Sequence, residues 1–364
     1  MQHPKGPRHV ARAKKNQAFT LLGEQVLPGQ RRQLDLEAAK LYTHSTLDFP
    51  VEVINGAYQG PVLMVCAAIH GDELNGVEVV RQLLAKINPQ QLKGTLVAVP
   101  VVNVFGFIHK SRYLPDRRDL NRCFPGSARG SLGSRMAHVF FDNLVKHCTH
   151  IIDLHTGAIH RTNLPQIRAN LANEATNTMA NAFGTPVIID ASLRDGSLRS
   201  EAESLDIPVI TYEAGEALRF DPIAIAGGLQ GVISVMRNLG MLRMSRKKRA
   251  SEPVIARSSS WVRAESDGIV RSQVSLGERV SRGQVLAYIS APLGVDESVL
   301  KAPRSGIVIG QQTLPLVNEG DAVFHIAFFS EPDKHVEQQV ETFIGEVLDI
   351  EDEQIRSGYR GENS

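Results

Sequence analysis

Four short motifs carry the residue types that metal-assisted hydrolysis needs. The first is His70-Gly71-Asp72-Glu73, which follows directly on the apolar run 62–69. If that run is a strand and a helix begins near Glu73, imidazole and carboxylate face one point above the sheet edge, and both are suitable zinc ligands. Gly71 is expected to permit the tight turn between them. The second motif is Asp153-Leu154-His155-Thr156-Gly157, where a second apolar run, 150–154, delivers a histidine at its carboxyl end. A neighbouring strand end then supplies a third ligand beside the first two, and Asp153 is placed to orient an imidazole. Three protein ligands leave zinc a fourth position for water, the mark of a catalytic site.

The third motif is Asp119-Leu120-Asn121-Arg122-Cys123-Phe124-Pro125-Gly126, preceded by Arg112, Arg117 and Arg118. Pro and Gly make it a loop, and an Asn-Arg pair fits a carboxylate, which guanidinium grips in bidentate fashion. The fourth is Thr211-Tyr212-Glu213-Ala214-Gly215-Glu216, where an apolar run ends in a carboxylate. Partial desolvation there would raise the pKa of Glu213 toward the working range of a general base, with Glu216 as the alternate. Each motif alone also fits a solvated loop, a strand-end histidine or a helix cap; their combination is the specific signal. No H-E-x-x-H helix, G-x-S-x-G elbow or phosphate-binding loop occurs. Cys66 sits inside an apolar run and reads as core, and Cys123 has no partner that would activate it.

The elements that must position these groups are legible as an alternation. Strands are expected over 51–54, 62–68, 95–102, 150–154, 187–190 and 209–212, rich in Val and Ile. Helices are expected over 75–87, 132–147, 173–183, 197–205 and 222–239. Such alternation predicts an α/β fold, a mixed but mostly parallel sheet with helices on both faces. In such sheets ligands sit outside the carboxyl ends of the strands, where the motifs fall.

The chain divides by composition. Residues 1–44 are expected as a basic N-terminal arm, 45–242 as the catalytic domain, 243–257 as a linker, 258–330 as a β-rich appendage and 331–364 as an acidic tail. Within the appendage, Gly268-Ile269-Val270 is echoed by Gly306-Ile307-Val308, and Gly283-Gln284-Val285 by Gly320-Asp321-Ala322. Repeated short strands with Gly turns predict a small all-β unit resembling the barrel-sandwich hybrid of biotinyl and lipoyl domains. The carrier lysine of those domains is absent from 290–300, so the unit is expected to be structural or to gate the substrate. Arm and tail have opposite charge, so a homo-oligomer joined through them is possible. A net charge of +1 over 364 residues excludes a global basic field for nucleic acid. The apolar runs are far short of a membrane span, no apolar signal segment is found, and three cysteines make no even disulfide set. A cytoplasmic protein without membrane or nucleic-acid partners is expected.

Taken in order, H-x-x-E, D-L-N-R-x-F-P-G, D-L-H-T-G and a strand ending in Glu resemble the succinylglutamate desuccinylase/aspartoacylase family, a branch of the zinc carboxypeptidase-like fold, over about residues 45–330. The resemblance implies one zinc ion per chain on His70, Glu73 and His155. It implies Asn121 and Arg122 as the pair that holds the substrate carboxylate, and Glu213 as general base and proton shuttle. An arginine upstream of that pair polarises the scissile carbonyl in the family; Arg112 matches best, with Arg117 and Arg118 competing. Arg168 is expected in the substrate pocket. The implied activity is removal of the acyl group from an N-acylated amino acid or related small amide. The alternatives are a carboxypeptidase acting on short or cell-wall peptides and a non-catalytic metal-binding module.

Overall fold

A computed structural model describes residues 14–244, 253–294, 296–329 and 337–348. The chain opens with a hairpin of β1 (Phe19–Leu21) and β2 (Glu24–Val26), then β3 (Gln30–Lys40) and β4 (Thr46–Asn55). It continues through β5 (Tyr58–Ala67), α1 (Asn75–Lys86), β6 (Lys93–Val99), α2 (Val104–His109) and α3 (Leu132–Asn143). Next come β7 (His150–Gly157), β8 (Arg161–Ala169), α4 (Glu174–Phe183), β9 (Val187–Asp190), α5 (Leu198–Glu203), β10 (Val209–Glu216) and α6 (Pro222–Asn238). The last third holds β11 (Val254–Ala256), β12 (Ser258–Arg263), β13 (Gly268–Ser272), β14 (Arg279–Val280) and β15 (Val285–Ser290). It ends with β16 (Glu297–Lys301), β17 (Gly306–Gln312), β18 (Leu316–Val317), β19 (Ala322–Phe328) and a helix over 337–348.

One large mixed sheet runs in the order β12-β19-β17-β8-β10-β7-β5-β6-β4-β3. Its centre, β10, β7, β5 and β6, is parallel, with antiparallel strands on both sides. The middle stretches of the central strands are largely buried and rich in apolar residues, because helices cover both faces. Val79, Leu83, Phe183, Leu229 and Val232 of α1, α4 and α6 pack on one face. Phe140, Phe141, Leu198 and Ala202 of α3 and α5 pack on the other. Helix starts follow local chemistry: Asp221 accepts from the Ala224 N–H with Pro222 next to it, and Ser131, Asn173 and Ser197 cap α3, α4 and α5 in the same way.

Several expectations change. Residues 30–40, assigned by charge to a solvated arm, form the edge strand β3: Leu34, Leu36 and Ala38 alternate inward while the charges face water. Residues 254–256, assigned to a linker, form β11 and pair with β9. The helix expected over 132–147 ends at Asn143 and is followed by a 3-10 turn. Neither α2 nor β8 was expected. The residues at 5, 8 and 12 of the basic arm, the basic cluster 246–249 and the acidic run 351–353 lie outside the described residues.

The β-rich appendage shares its main sheet with the catalytic unit. Its β17 pairs antiparallel with the first part of β8, with Gly310 opposite Asn163. A second sheet, β16-β15-β13-β18, lies beside it. The internal repeat falls on equivalent elements: β13 pairs with β15 as β17 pairs with β19. Leu164, Val187, Val254, Ile309, Ala327 and Val340 form one core across the junction, so the helix over 337–348 also packs there.

Candidate active site

Three parallel strands deliver the chemistry to one sheet edge. After β5 the chain turns through Ala68, at φ 51°, to His70, and the Glu73 N–H donates to the His70 carbonyl at 3.1 Å. Glu73 lies in this turn, just before α1, and not inside the first helical turn. Gly71 is required for space and not for torsion: it has no left-handed φ, but a Cβ there would fall 2.0 Å from the Gly106 carbonyl carbon at α2. Gly71→Ala is therefore expected to destabilise by about 1–3 kcal/mol. Denaturant unfolding checks this as a lower midpoint at unchanged slope.

His155 stands on β7 two residues after Asp153, so both side chains share one face. Its Nε2 lies 2.8 Å from Asp153 Oδ2, and its Nδ1 lies 2.8 Å from Glu73 Oε2. His70 Nδ1 lies 2.7 Å from Glu73 Oε1, while its Nε2 lies 3.1 Å from Asp119 Oδ1. The backbone N–H of Thr156 also donates to Glu73 Oε2, at 3.1 Å. His70, Glu73 and His155 are 4%, 1% and 5% exposed, too buried for a casual surface cluster. Burial alone would push the Glu73 carboxyl up, but the two imidazoles outweigh it and hold it below the usual carboxylate range. Burial would likewise lower both imidazoles, yet Asp153 and Glu73 raise His155 well above its ordinary value, and Glu73 and Asp119 raise His70.

This arrangement fits a divalent cation. One ligand atom from each of His70, Glu73 and His155 lies within 4.8 Å of the others. The opposite ring nitrogens are held by carboxylates, the usual partners of a metal-bound imidazole. With both imidazoles neutral, as metal ligands must be, Glu73, Asp119 and Asp153 would have only Arg112 as an ion-paired counter-charge among the described residues, and a divalent cation would balance the rest.

Around this centre the sequence-derived residues separate. Arg112 reaches Glu73 Oε1 at 3.2 Å and Asp119 Oδ2 at 3.0 Å. Arg117 and Arg118 are exposed, and Arg118 pairs with Asp116. Asn121 Oδ1 accepts from the Leu198 N–H at 2.9 Å, which ties the loop to α5, and the Arg122 guanidinium donates to the Asn121 carbonyl. Glu213 on β10 is the register partner of His155 on β7. Arg168 Nε stands 3.1 Å from Glu213 Oε1. Glu216 points away: it accepts from the His160 N–H at 3.1 Å and lies 3.6 Å from Arg219. All eight candidate residues, His70, Glu73, Arg112, Asn121, Arg122, His155, Arg168 and Glu213, line one cavity of about 890 Å³.

The same cavity has walls that sequence reasoning missed. Asn163 on β8 donates from Nδ2 to Glu213 Oε2 at 2.7 Å. From the appendage, Trp261 and His325 stack with centroids 4.6 Å apart, and Arg161 lies over the Trp261 ring. Arg194 and Arg199 add positive charge. Asp119 was visible in its motif, but nothing there marked it as the partner of His70. No local signal marks Trp261 or His325, because long-range pairings, β17 with β8 and β11 with β9, bring them to the cavity. Cys66 and Cys148 are buried core thiols, the latter pushed up to about 12 by burial, and Cys123 Sγ donates to the Asp119 carbonyl.

His325 carries a prediction. Burial, with help from the Arg168 charge, lowers its imidazole to about 3, and Ser259 Oγ lies 2.9 Å from its Nε2. An imidazole depressed in the folded state gives stability that is full above its unfolded pKa of about 6.5 and fades as pH falls toward 3. Melting temperature against pH should fall less steeply over that window in His325→Phe than in the parent; parallel curves would contradict this.

Comparison with known proteins gives a consistent answer. A profile of the succinylglutamate desuccinylase/aspartoacylase catalytic domain matches residues 59–239. The chain is 27% identical over 296 residues to an N-alpha-acetyl-L-2,4-diaminobutyric acid deacetylase from Halomonas elongata, covering 76% of this chain and 85% of that protein. It superimposes on the crystal structure of a succinylglutamate desuccinylase/aspartoacylase from Rhodobacter sphaeroides with a TM-score of 0.73 and 25% identity, covering 83% of this chain and 96% of the other. The product-bound ectoine utilization protein EutE (DoeB) from Ruegeria pomeroyi shares the fold, with a TM-score of 0.74 and 24% identity over 86% and 99% of the two chains.

Proposed function

The chain belongs to the succinylglutamate desuccinylase/aspartoacylase family, and from that premise we propose that it is a zinc-dependent deacylase which hydrolyses the amide bond of a small N-acyl amino acid. The observation that carries this reading is the convergence of two imidazole Nδ1 atoms on the Glu73 carboxylate, beside Glu213 on the next strand. His70, Glu73 and His155 would hold one zinc ion. When bound, zinc supplies a Lewis acid that polarises the carbonyl and lowers the pKa of water from 15.7 toward about 7.

The chain's own groups supply the rest. Glu213 takes the proton of the attacking water and delivers it to the leaving nitrogen. Arg112, anchored by Asp119, directs positive charge at the carbonyl oxygen as it becomes anionic. Asn121 and Arg122 hold the substrate carboxylate, and Arg168 faces the same cavity. Asp153 and Asp119 fix the two imidazoles so that their Nδ1 atoms stay turned inward.

The substrate class is an amino acid with an acyl group on its nitrogen. The Halomonas relative makes Nα-acetyl-L-2,4-diaminobutyric acid the first compound to test. A panel of N-acetyl and N-succinyl amino acids against dipeptides and tripeptides, with zinc-loaded protein, decides the matter. Turnover confined to N-acyl amino acids is expected. Turnover of peptides alone would make it a carboxypeptidase, and no turnover would leave a metal-binding module.

A further inference from the structure

Glu213 is gripped from β8 at both carboxylate oxygens, but unequally. Asn163 Nδ2 makes an aligned hydrogen bond to Oε2 at 2.7 Å, whereas Arg168 Nε approaches Oε1 to 3.1 Å without hydrogen-bond alignment. Asn163 is 7% exposed, so its amide has little freedom to leave this contact. Its cross-strand partners are Gly215 on β10 and Gly310 on the appendage strand β17. Residues directly opposite each other in a ladder put their side chains on one face. A side chain at 310 would therefore stand beside that of Asn163: a Cβ there would meet Asn163 Oδ1 at 3.0 Å and His325 Cβ at 3.1 Å. The bare backbone at Gly310 leaves the space that the Asn163 amide uses.

We infer that Asn163 is a positioning residue for the Glu213 carboxylate, and that the appendage holds it in place through the gap at Gly310. The inference rests on the reading of Glu213 as base. With Oε2 occupied by the amide and Oε1 beside Arg168, the carboxylate is held in one rotamer. A shift of a base by a fraction of an ångström is enough to slow proton transfer, because catalysis needs reacting atoms in near-attack geometry. The appendage, expected from sequence to be structural or to gate the substrate, is thereby part of the catalytic geometry.

The test compares Asn163→Ala and Gly310→Ala with the parent in the full chain, using Nα-acetyl-L-2,4-diaminobutyric acid as probe. Asn163→Ala is expected to lower kcat by about 10²-fold with KM, zinc content and melting temperature near those of the parent. Gly310→Ala, which replaces no catalytic residue, should lower kcat in the same direction at unchanged KM. Crystals of both variants give a readout independent of any substrate: the Glu213 carboxylate should turn away from its parental position. Parental kcat in both variants, or an unmoved carboxylate in Asn163→Ala, overturns the inference. Full turnover in Glu213→Gln would instead remove the base itself, and the crystals would still decide whether Asn163 positions it.

Discussion

Glu213→Gln should lower kcat by about 10²–10⁴-fold while zinc content and fold stay as in the parent. The substitution keeps the shape of the side chain and its place on β10 but removes the group that accepts a proton. The Asn163 amide would then face a neutral oxygen or nitrogen, a small local change beside the loss of the base. Glu213 lies opposite His155 in the ladder and is not one of the three groups gathered around the cation position, so metal binding should survive. Zinc per chain by mass spectrometry, measured alongside kcat, separates this from loss of the metal. Parental turnover in the variant would assign the proton transfer elsewhere, and Glu216, latched to His160 and Arg219, is poorly placed to take it.

His155→Ala should lose the metal and with it essentially all hydrolysis. The residue supplies one of three ligands, and its removal also leaves Asp153 buried without its imidazole partner. An uncompensated buried carboxylate is destabilising by about 3–5 kcal/mol, so the variant should melt lower as well. Asp153→Asn is the milder companion: the ligand remains but its orientation is weakened, and metal affinity should fall about 10–100-fold. Competition with a chelator measures both. Parental zinc affinity in His155→Ala would remove His155 from the site.

The ligand set was legible because of where it sits in the pattern. Two apolar runs end in histidine, and in a parallel sheet such ends lie side by side; β5 and β7 are indeed neighbours. Glu213 was readable by the same logic. Asn163 was not, because Pro165 interrupts the run 161–169 and argues against a central strand. The fold tolerates it where β8 changes partner, from β17 at Arg161–Asn163 to β9 at Gln166–Ala169, and where its register with β10 slips. Trp261 and His325 were hidden for a different reason: ladders between residues far apart in sequence, Asn163 with Gly310 and Val187 with Val254, bring this part of the chain to the cavity. Charge concealed β3, whose alternating Leu34, Leu36 and Ala38 were present in the sequence but outweighed by the arginines before them. The choice of Arg112 over its neighbours also depended on tertiary contacts, since only it reaches Glu73 and Asp119.

The most direct measurement is anomalous diffraction at the zinc edge from crystals of the full chain grown with zinc. A single strong peak bonded to the Nδ1 atoms of His70 and His155 and to the Glu73 carboxylate is the expected result. No peak at that position, with zinc bound elsewhere or not at all, would contradict the account at its centre.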